Sequence, residues 1–500
     1  MTSRPPAADP SAESEGGRRA GVLPNFVGGR WVPSAGGETV DVHDPARGTV
    51  IARAPLSTRG DVDDAVAAAA RAFAGWSETP PAVRARAMFR LRLRLEERAE
   101  ELARLVTTEH GKTLDESRGS VKRALECVEA ACGAPAMLMG QSLENVASGL
   151  DCTAFRQPIG VCAAIAPFNF PVMVPLWFLP FAVVCGNTFV LKPSEQVPLT
   201  MTRVFELLEE CDLPPGVVNL VHGGRETVEA ICDHPGIRAL SFVGSTPVAR
   251  AVYERATRAG KRVQALGGAK NYVVVMPDAD LETAIPAITE SFYGCAGERC
   301  LAGSVLVPVG PAHGEVRERL VRSARSLRVG DGMDPATRMG PLVSGRHRER
   351  VVGYIEKGVA EGARLALDGR DLVASGGPGF FLGPTVFDAV DPGMTIARDE
   401  IFGPVASICA VPDLAGALEA MRSHPNANAA SIFTSSGKAA REFAHRAPSS
   451  MVGVNVGVAA PMAYFPFGGA RDSFFGDLKV HGRDAFEFYT DKKVVMSRWP

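Results

Sequence analysis

Apolar residues recur along this chain in two rhythms, and the changes between them divide the sequence. From residue 25 to about 55, short apolar runs alternate with Gly and Pro turns. NFVGGRWVPS followed by ETVDVHDP predicts hairpin strands. Between 61 and 109 the rhythm becomes helical. DVDDAVAAAARAFAGW carries apolar residues at helical spacing with acidic residues in its first turn, and RAMFRLRLRLEERAEELARLVTTEHGK continues it. A further helix is predicted over 115–132. From 161 onward, GVCAAIAPF, NTFVLKPS, VVNLVHGG and ALSFVGS are β-rich runs that each end in a turn. Helical stretches such as LTMTRVFELLEECDLP and ETVEAICDHP separate them. Buried strands alternating with helices predict a parallel α/β sheet. A second such set runs from NYVVVMPDA through SVLVPV and ASICAV to GVNV. Two α/β halves with a cleft between them suit a cofactor and a nucleophile.

Length and composition narrow the function classes. At 500 residues the chain exceeds one compact core, so two or three structural units are expected. A formal charge of -2 argues against a general polyanion binder, and no nucleic-acid partner is expected. The ten cysteines form no CxxC pair and read as thiols in a reducing compartment. The nine histidines show no zinc-ligand spacing, so no metal is expected. Residues 1–20, rich in Pro, Ala, Ser and Gly, have no apolar h-region and read as a disordered tail. The most apolar stretch, 161–191, is interrupted by Pro167, Pro171, Pro175 and Pro180, which predicts no membrane span. A cytoplasmic location is expected.

Candidate chemistry sits at the ends of the predicted strands. No GxGxxG follows any of them, so the common dinucleotide fingerprint is absent. FVGST (242–246) instead ends a strand in Gly-Ser-Thr before a helix, where backbone N–H groups can hold a pyrophosphate. Its ordinary explanation is a helix N-cap by Ser245 or Thr246. In LKPSE (191–195), Lys192 can reach ribose hydroxyls or phosphate, and Glu195 can accept from an adenosine ribose. A carboxylate there would repel a 2′-phosphate, which favours NAD over NADP. A solvated turn is the ordinary alternative. Cys300, in CAGERCLAGS, follows a predicted helix and precedes a strand. A thiolate is both nucleophile and leaving group, although a lone cysteine is usually a core thiol. Asn169, on the proline-bounded turn APFNFP, can donate one half of an oxyanion hole, with the Cys300 backbone N–H as the other.

APFNFP, LKPSE, FVGST, GERC, EIFGPV and GVNV, in this order from Asn25 to Trp499, resemble the aldehyde dehydrogenase superfamily. The resemblance implies two Rossmann-like parallel-sheet domains and a small β oligomerisation arm. It further implies an NAD-binding domain at 21–135 and 157–268, a catalytic domain at 269–475, and the arm at 136–156 and 476–500. By the same resemblance Cys300 is the nucleophile and Asn169 the oxyanion donor. Phe168 lies on the cofactor side, Lys192 and Glu195 hold the adenosine ribose, and Ser245 lies at the pyrophosphate. Glu400 contacts the nicotinamide ribose and Phe402 lines the nicotinamide site. Cys300 would attack an aldehyde, and the thiohemiacetal would be oxidised to a thioester. A homodimer or homotetramer is implied.

One departure points to a narrower class. Hydrolytic members carry a Glu in Glu-Leu-Gly-Gly-Lys that activates water. Here VQALGGAKN puts Leu266 four residues before Lys270, or Ala265 if Leu-Gly-Gly is matched, and neither can accept a proton. A thiol acceptor removes much of the need for that base. The AKN ending, EHGKTL (109–114), ICDHP (231–235), FYTDKK and the arginine beside the cysteine resemble CoA-acylating methylmalonate-semialdehyde dehydrogenases. That implies coenzyme A as acyl acceptor, and Arg123 and Arg299 as a clamp for the carboxylate of a short semialdehyde. Two features depart from the closer family. Leu266 and Gly267 replace an Asn-Met pair, and GVAAPMAYFPFGG follows GVNV at the aldehyde entrance. The alternatives are a hydrolytic enzyme releasing a free acid, an inactive NAD-binding relative, and a cysteine hydrolase, which lacks a motif-placed His–Cys pair.

Overall fold

In the computed structural model of the protein, which describes residues 21–371 and 378–499, the two strand sets form two separate sheets. The tail assigned to 1–20 lies outside the described residues. The first sheet has eight strands. Its parallel centre runs, in spatial order, Val218–Leu220, Thr188–Lys192, Val161–Ile165, Ile237–Val243 and Arg262–Leu266. Chain order reverses between Val161–Ile165 and Ile237–Val243, so the loops after these two neighbours diverge and open a crevice. The predicted hairpin is present, with Asn25–Val27 paired antiparallel to Arg30–Val32 at the edge of this sheet. The Phe474–Phe475 strand closes the other edge.

The second sheet has seven strands. Arg364–Leu367, antiparallel, edges a parallel set of Thr385–Asp388, Val405–Ile408, Gly303–Pro308, Asn271–Val275, Ala429–Phe433 and Met451–Val454. Runs such as NYVVV are buried at every position because helices cover both faces, so they show no alternation. Each sheet has its own apolar core.

The long helical stretch divides into three helices. Arg59–Glu78 begins at a capping box between Thr58 and Asp61, Pro81–Glu97 starts on a proline at its first turn, and Ala99–His110 stops at Gly111 in the left-handed region. Leu114–Cys132 follows at once, and its N-cap Thr113 forms a second capping box with Glu116. The proline-interrupted stretch contains the ten-residue helix Pro175–Val184, buried throughout. Among the described residues no helix is long and apolar enough to cross a membrane.

A third, antiparallel sheet joins Thr490–Arg498, Leu150–Pro158 and Gln141–Ala147. Leu143, Phe155, Val494 and Met496 are exposed on it. Within 476–500, Phe486, Phe488 and Tyr489 are instead buried in the first core, just before the Thr490–Arg498 strand leaves for this sheet.

Candidate active site

Asn169 lies four residues beyond the Val161–Ile165 strand, on the crevice side of the first sheet. Its side chain is buried, and Nδ2 donates to the carbonyl of Glu298 at 2.9 Å. That single bond ties the APFNFP turn to the loop that carries Cys300. The loop itself is unusual backbone. It leaves the Leu281–Tyr293 helix and passes through Cys295, Ala296 and Gly297 with φ of 50°, 53° and 75°. Consecutive left-handed residues, two of them not glycine, are costly and occur where surroundings over-determine them. On the far side, the Cys300 carbonyl accepts from Asn271 Nδ2 and Asn428 Nδ2, both at 2.9 Å. Cys300 is thus held by Asn271, on a strand of the second sheet, and by Asn428, one residue before another.

The Cys300 thiol is pushed up to about 12 by burial, with the Glu400 carboxylate adding to it. Backbone N–H groups of Cys300 and Leu301 act in the other direction, favouring the thiolate. Burial likewise raises Glu400 to about 7, opposed by the Ala269 N–H and by Lys270. Glu400 accepts from Ala269 N at 2.9 Å, and a Cβ on Gly268 would lie 2.2 Å from its Oε2. Glycine at 268 therefore makes room for this carboxylate. Leu266 and Ala265, the two positions to which the hydrolytic members' glutamate can be matched, are both buried apolar side chains.

Cys300 opens onto a cavity of about 590 Å³ lined by Phe170, Met173, Trp177, Leu301 and Phe467. Arg123 and Arg299 both line it, each already holding a carboxylate. Arg123 donates to Glu126 at 2.7 Å and also to the Pro461 carbonyl, so it ties the entrance segment to the Leu114–Cys132 helix. Arg299 reaches Glu290 at 2.9 Å, Glu116 at 3.3 Å and the Cys295 sulfur at 3.2 Å. Burial opposes its charge, but Cys295, Glu116 and Glu290 outweigh burial and hold it protonated.

On the other side of the APFNFP turn lies a second cavity of about 500 Å³, lined by Phe168, Glu195, Gln196, His347 and Arg350 among others. Phe168 meets Phe402 edge to face, with ring centroids 5.8 Å apart. Lys192 is no solvated turn residue: it is buried, and Nζ donates to Glu195 at 2.8 Å. Ser245 is the N-cap of the Thr246–Arg258 helix, yet its side chain makes no capping bond. Thr246 instead accepts from Gly268 N at 2.9 Å. These groups fit a dinucleotide: an ion pair at a strand end, a helix start without a side-chain cap, and a cavity walled by Phe168 and His347.

The sequence reading did not find several groups that the fold places here. Lys112, His110 and Glu298 are buried around the Asn169 turn, and His481, pushed down to about 3 by burial and then by Arg123, backs the aldehyde cavity. His110 and Lys112 stand in EHGKTL, Glu298 in GERC and Asn271 in AKN, so these lay within motifs. His481 carries no local signal. Among the described residues no group of three His, Cys, Asp or Glu side chains is arranged to hold a metal ion.

Comparison with known proteins adds a lineage to this geometry. The pattern of the aldehyde dehydrogenase family matches residues 31–495. Malonate-semialdehyde dehydrogenase 1 of Geobacillus kaustophilus (strain HTA426) is 53% identical over 478 residues, 96% of this chain and 98% of its own. The crystal structure of methylmalonate-semialdehyde dehydrogenase from Oceanimonas doudoroffii matches with a TM-score of 0.94 at 43% identity, covering 96% of this chain and 98% of that one. A protein of Sinorhizobium meliloti 1021, provisionally described as a methylmalonate-semialdehyde dehydrogenase and crystallised with NAD, matches with a TM-score of 0.95 at 42% identity. It covers 96% of this chain and 99% of its own.

Proposed function

Because the chain belongs to the aldehyde dehydrogenase family, we propose that it oxidises a short carboxylated semialdehyde, malonate or methylmalonate semialdehyde, with NAD as hydride acceptor and coenzyme A as acyl acceptor. The names of the relatives support the substrate class and the NAD-bound neighbour supports the cofactor. The observation that carries the acceptor is Leu266, an apolar side chain where hydrolysis would need a base.

In this reading Cys300 attacks the aldehyde carbon and Asn169 donates to the oxygen that gains charge. Arg123 and Arg299 bind the substrate carboxylate, exchanging part of their pairing with Glu126 and Glu116. Lys192, Glu195 and Ser245 hold the adenosine and pyrophosphate portions of NAD, and Glu400, Phe168 and Phe402 position the nicotinamide end. When bound, NAD supplies the hydride acceptor. The Cys300 thioester then meets the thiolate of coenzyme A, whose attack expels the Cys300 thiolate and restores the free enzyme. Water would need a general base for the same step, whereas a thiolate carries its own charge.

A hydrolytic reading is kept alive by one observation: Glu400, with its carboxyl at about 7, exerts its charge on Cys300. Steady NADH formation from malonate semialdehyde, measured with and without coenzyme A and with products identified by mass spectrometry, decides between them. Coenzyme A-dependent turnover with a CoA thioester as product is the expected outcome. A free acid formed equally fast without coenzyme A would overturn the acceptor assignment. We place the NAD-binding unit at 21–135 and 157–268 and the catalytic unit at 269–475. The three-stranded sheet is assigned to a homodimer or homotetramer contact, supported by its exposed Leu143, Phe155, Val494 and Met496.

A further inference from the structure

The turn between the Ala99–His110 and Leu114–Cys132 helices touches both halves of the catalytic apparatus. Lys112 is fully buried, and its Nζ donates to the Asn169 carbonyl at 2.6 Å and lies 3.9 Å from the centre of the Phe170 ring. Four residues on, Glu116 divides its carboxylate. Oε2 accepts from Thr113 N at 2.8 Å within the capping box, and Oε1 accepts from Cys295 N at 2.6 Å and from Arg299 at 3.3 Å. One rigid helix start therefore holds the backbone of the oxyanion turn through Lys112 and that of the nucleophile loop through Glu116.

Burying an ammonium costs several kcal/mol unless it is well partnered. The Glu116 and Glu298 carboxylates favour the charge of Lys112 without bonding to it, and its hydrogen bond goes to the Asn169 carbonyl, so packing alone does not explain why a lysine stands there. The left-handed run at Cys295 and Ala296 is likewise strained backbone, and the carboxylate of Glu116 is bonded directly to its first N–H. Both contacts converge on the two backbone segments whose spacing must match an aldehyde carbon and its oxygen.

We propose that Lys112 and Glu116 are positioning residues for the reaction, Lys112 holding Asn169 in donor geometry and Glu116 holding the Cys300 loop. This rests on the roles of Asn169 and Cys300 given above. The two residues then act on separable steps. Attack on a carbonyl needs both the oxyanion donor and the thiol, whereas alkylation of Cys300 by iodoacetamide needs only the thiol.

The test compares single-turnover NADH bursts from malonate semialdehyde at saturating NAD with iodoacetamide rates, in the full-length enzyme. Lys112→Met should slow the burst by roughly 100-fold, as an ångström of misplacement does. It should leave alkylation and NAD affinity within about twofold. Glu116→Ala should slow both burst and alkylation, and Glu116→Gln, which keeps an acceptor for Cys295 N, should restore most of each. In an Asn169→Ala background, Lys112→Met should slow the burst no further, because residues acting through one another are not additive. Should Lys112→Met fail to fold, Lys112→Gln carries the same comparison. A burst unchanged by both Lys112 variants, or a full additional loss in the Asn169→Ala background, would overturn the proposal. An Asn169→Ala enzyme with an undiminished burst would instead overturn the oxyanion reading beneath it.

Discussion

Cys300 is a poor nucleophile in the resting protein, because burial and the Glu400 carboxylate push its thiol up to about 12. Thiolate content therefore rises about tenfold per pH unit up to that value. Alkylation of the enzyme without cofactor should climb throughout pH 6–9, and NAD, whose oxidised nicotinamide is cationic, should accelerate it at fixed pH. A plateau near neutrality would contradict this account of the site. Cys300→Ala should abolish NADH formation altogether, and unchanged turnover would remove Cys300 from the mechanism. For the arginines, Arg123→Leu should raise KM for malonate semialdehyde by roughly 10–100-fold, the value of a charge-assisted contact. It should change KM for a neutral aldehyde far less, since Arg123 otherwise only joins Glu126 and the entrance segment. Equal losses on both aldehydes would reduce Arg123 to a structural tie. Gly268→Ala tests the cofactor side. Its Cβ would displace Glu400, so hydride transfer should slow while NAD still binds through Lys192 and Glu195. Unaltered transfer would deny Glu400 a part in placing the nicotinamide.

Elements were legible wherever local chemistry decided them. The acidic first turn of the Arg59–Glu78 helix, the Leu114–Cys132 helix and the GERC position between helix and strand follow from residues near in sequence. The apolar runs with turn signals between 161 and 243, and NYVVV, SVLVPV and ASICAV, were legible as strands. The three-way division at 61–109 was not, because its breaks at Pro80 and Arg98 keep apolar spacing on either side. Nor were Arg364–Leu367, Thr385–Asp388 and Ala429–Phe433, short strands stabilised by neighbours far away in the chain. The Pro175–Val184 helix is a related case. Pro175 takes the first helical position, where its missing N–H is not needed, and Pro180 is tolerated inside a helix that is buried throughout in the first core. Asn187 shows the limit most clearly. Its side chain accepts from Ile159 N and Gly160 N and donates to the Tyr489 carbonyl, a junction of three distant segments that a local reading sees as a turn asparagine.

At the scale of the molecule, the three-stranded sheet is the part with too little to cover it. Deleting 490–500 removes the Thr490–Arg498 strand and leaves Leu150–Pro158 as an open edge. The proposed subunit contact on this sheet predicts that the truncated protein sediments as a smaller species than the full chain, and an unchanged sedimentation coefficient would overturn that assignment. What the sequence determined by itself was the order of strands and helices and the motifs at strand ends, because each depends on residues a few positions apart. The proposed roles of Cys300 and of the missing base came from the resemblance that those motifs carry together. Tertiary structure alone decided how these meet. The reversal of strand order opens the crevice, Asn271 and Asn428 pin Cys300, and Glu116 reaches Arg299 from 183 residues away. It also made partners of Lys112 and Asn169, 57 residues apart. Such contacts depend on how segments far apart in the chain pack together, and no periodicity along it encodes that distance.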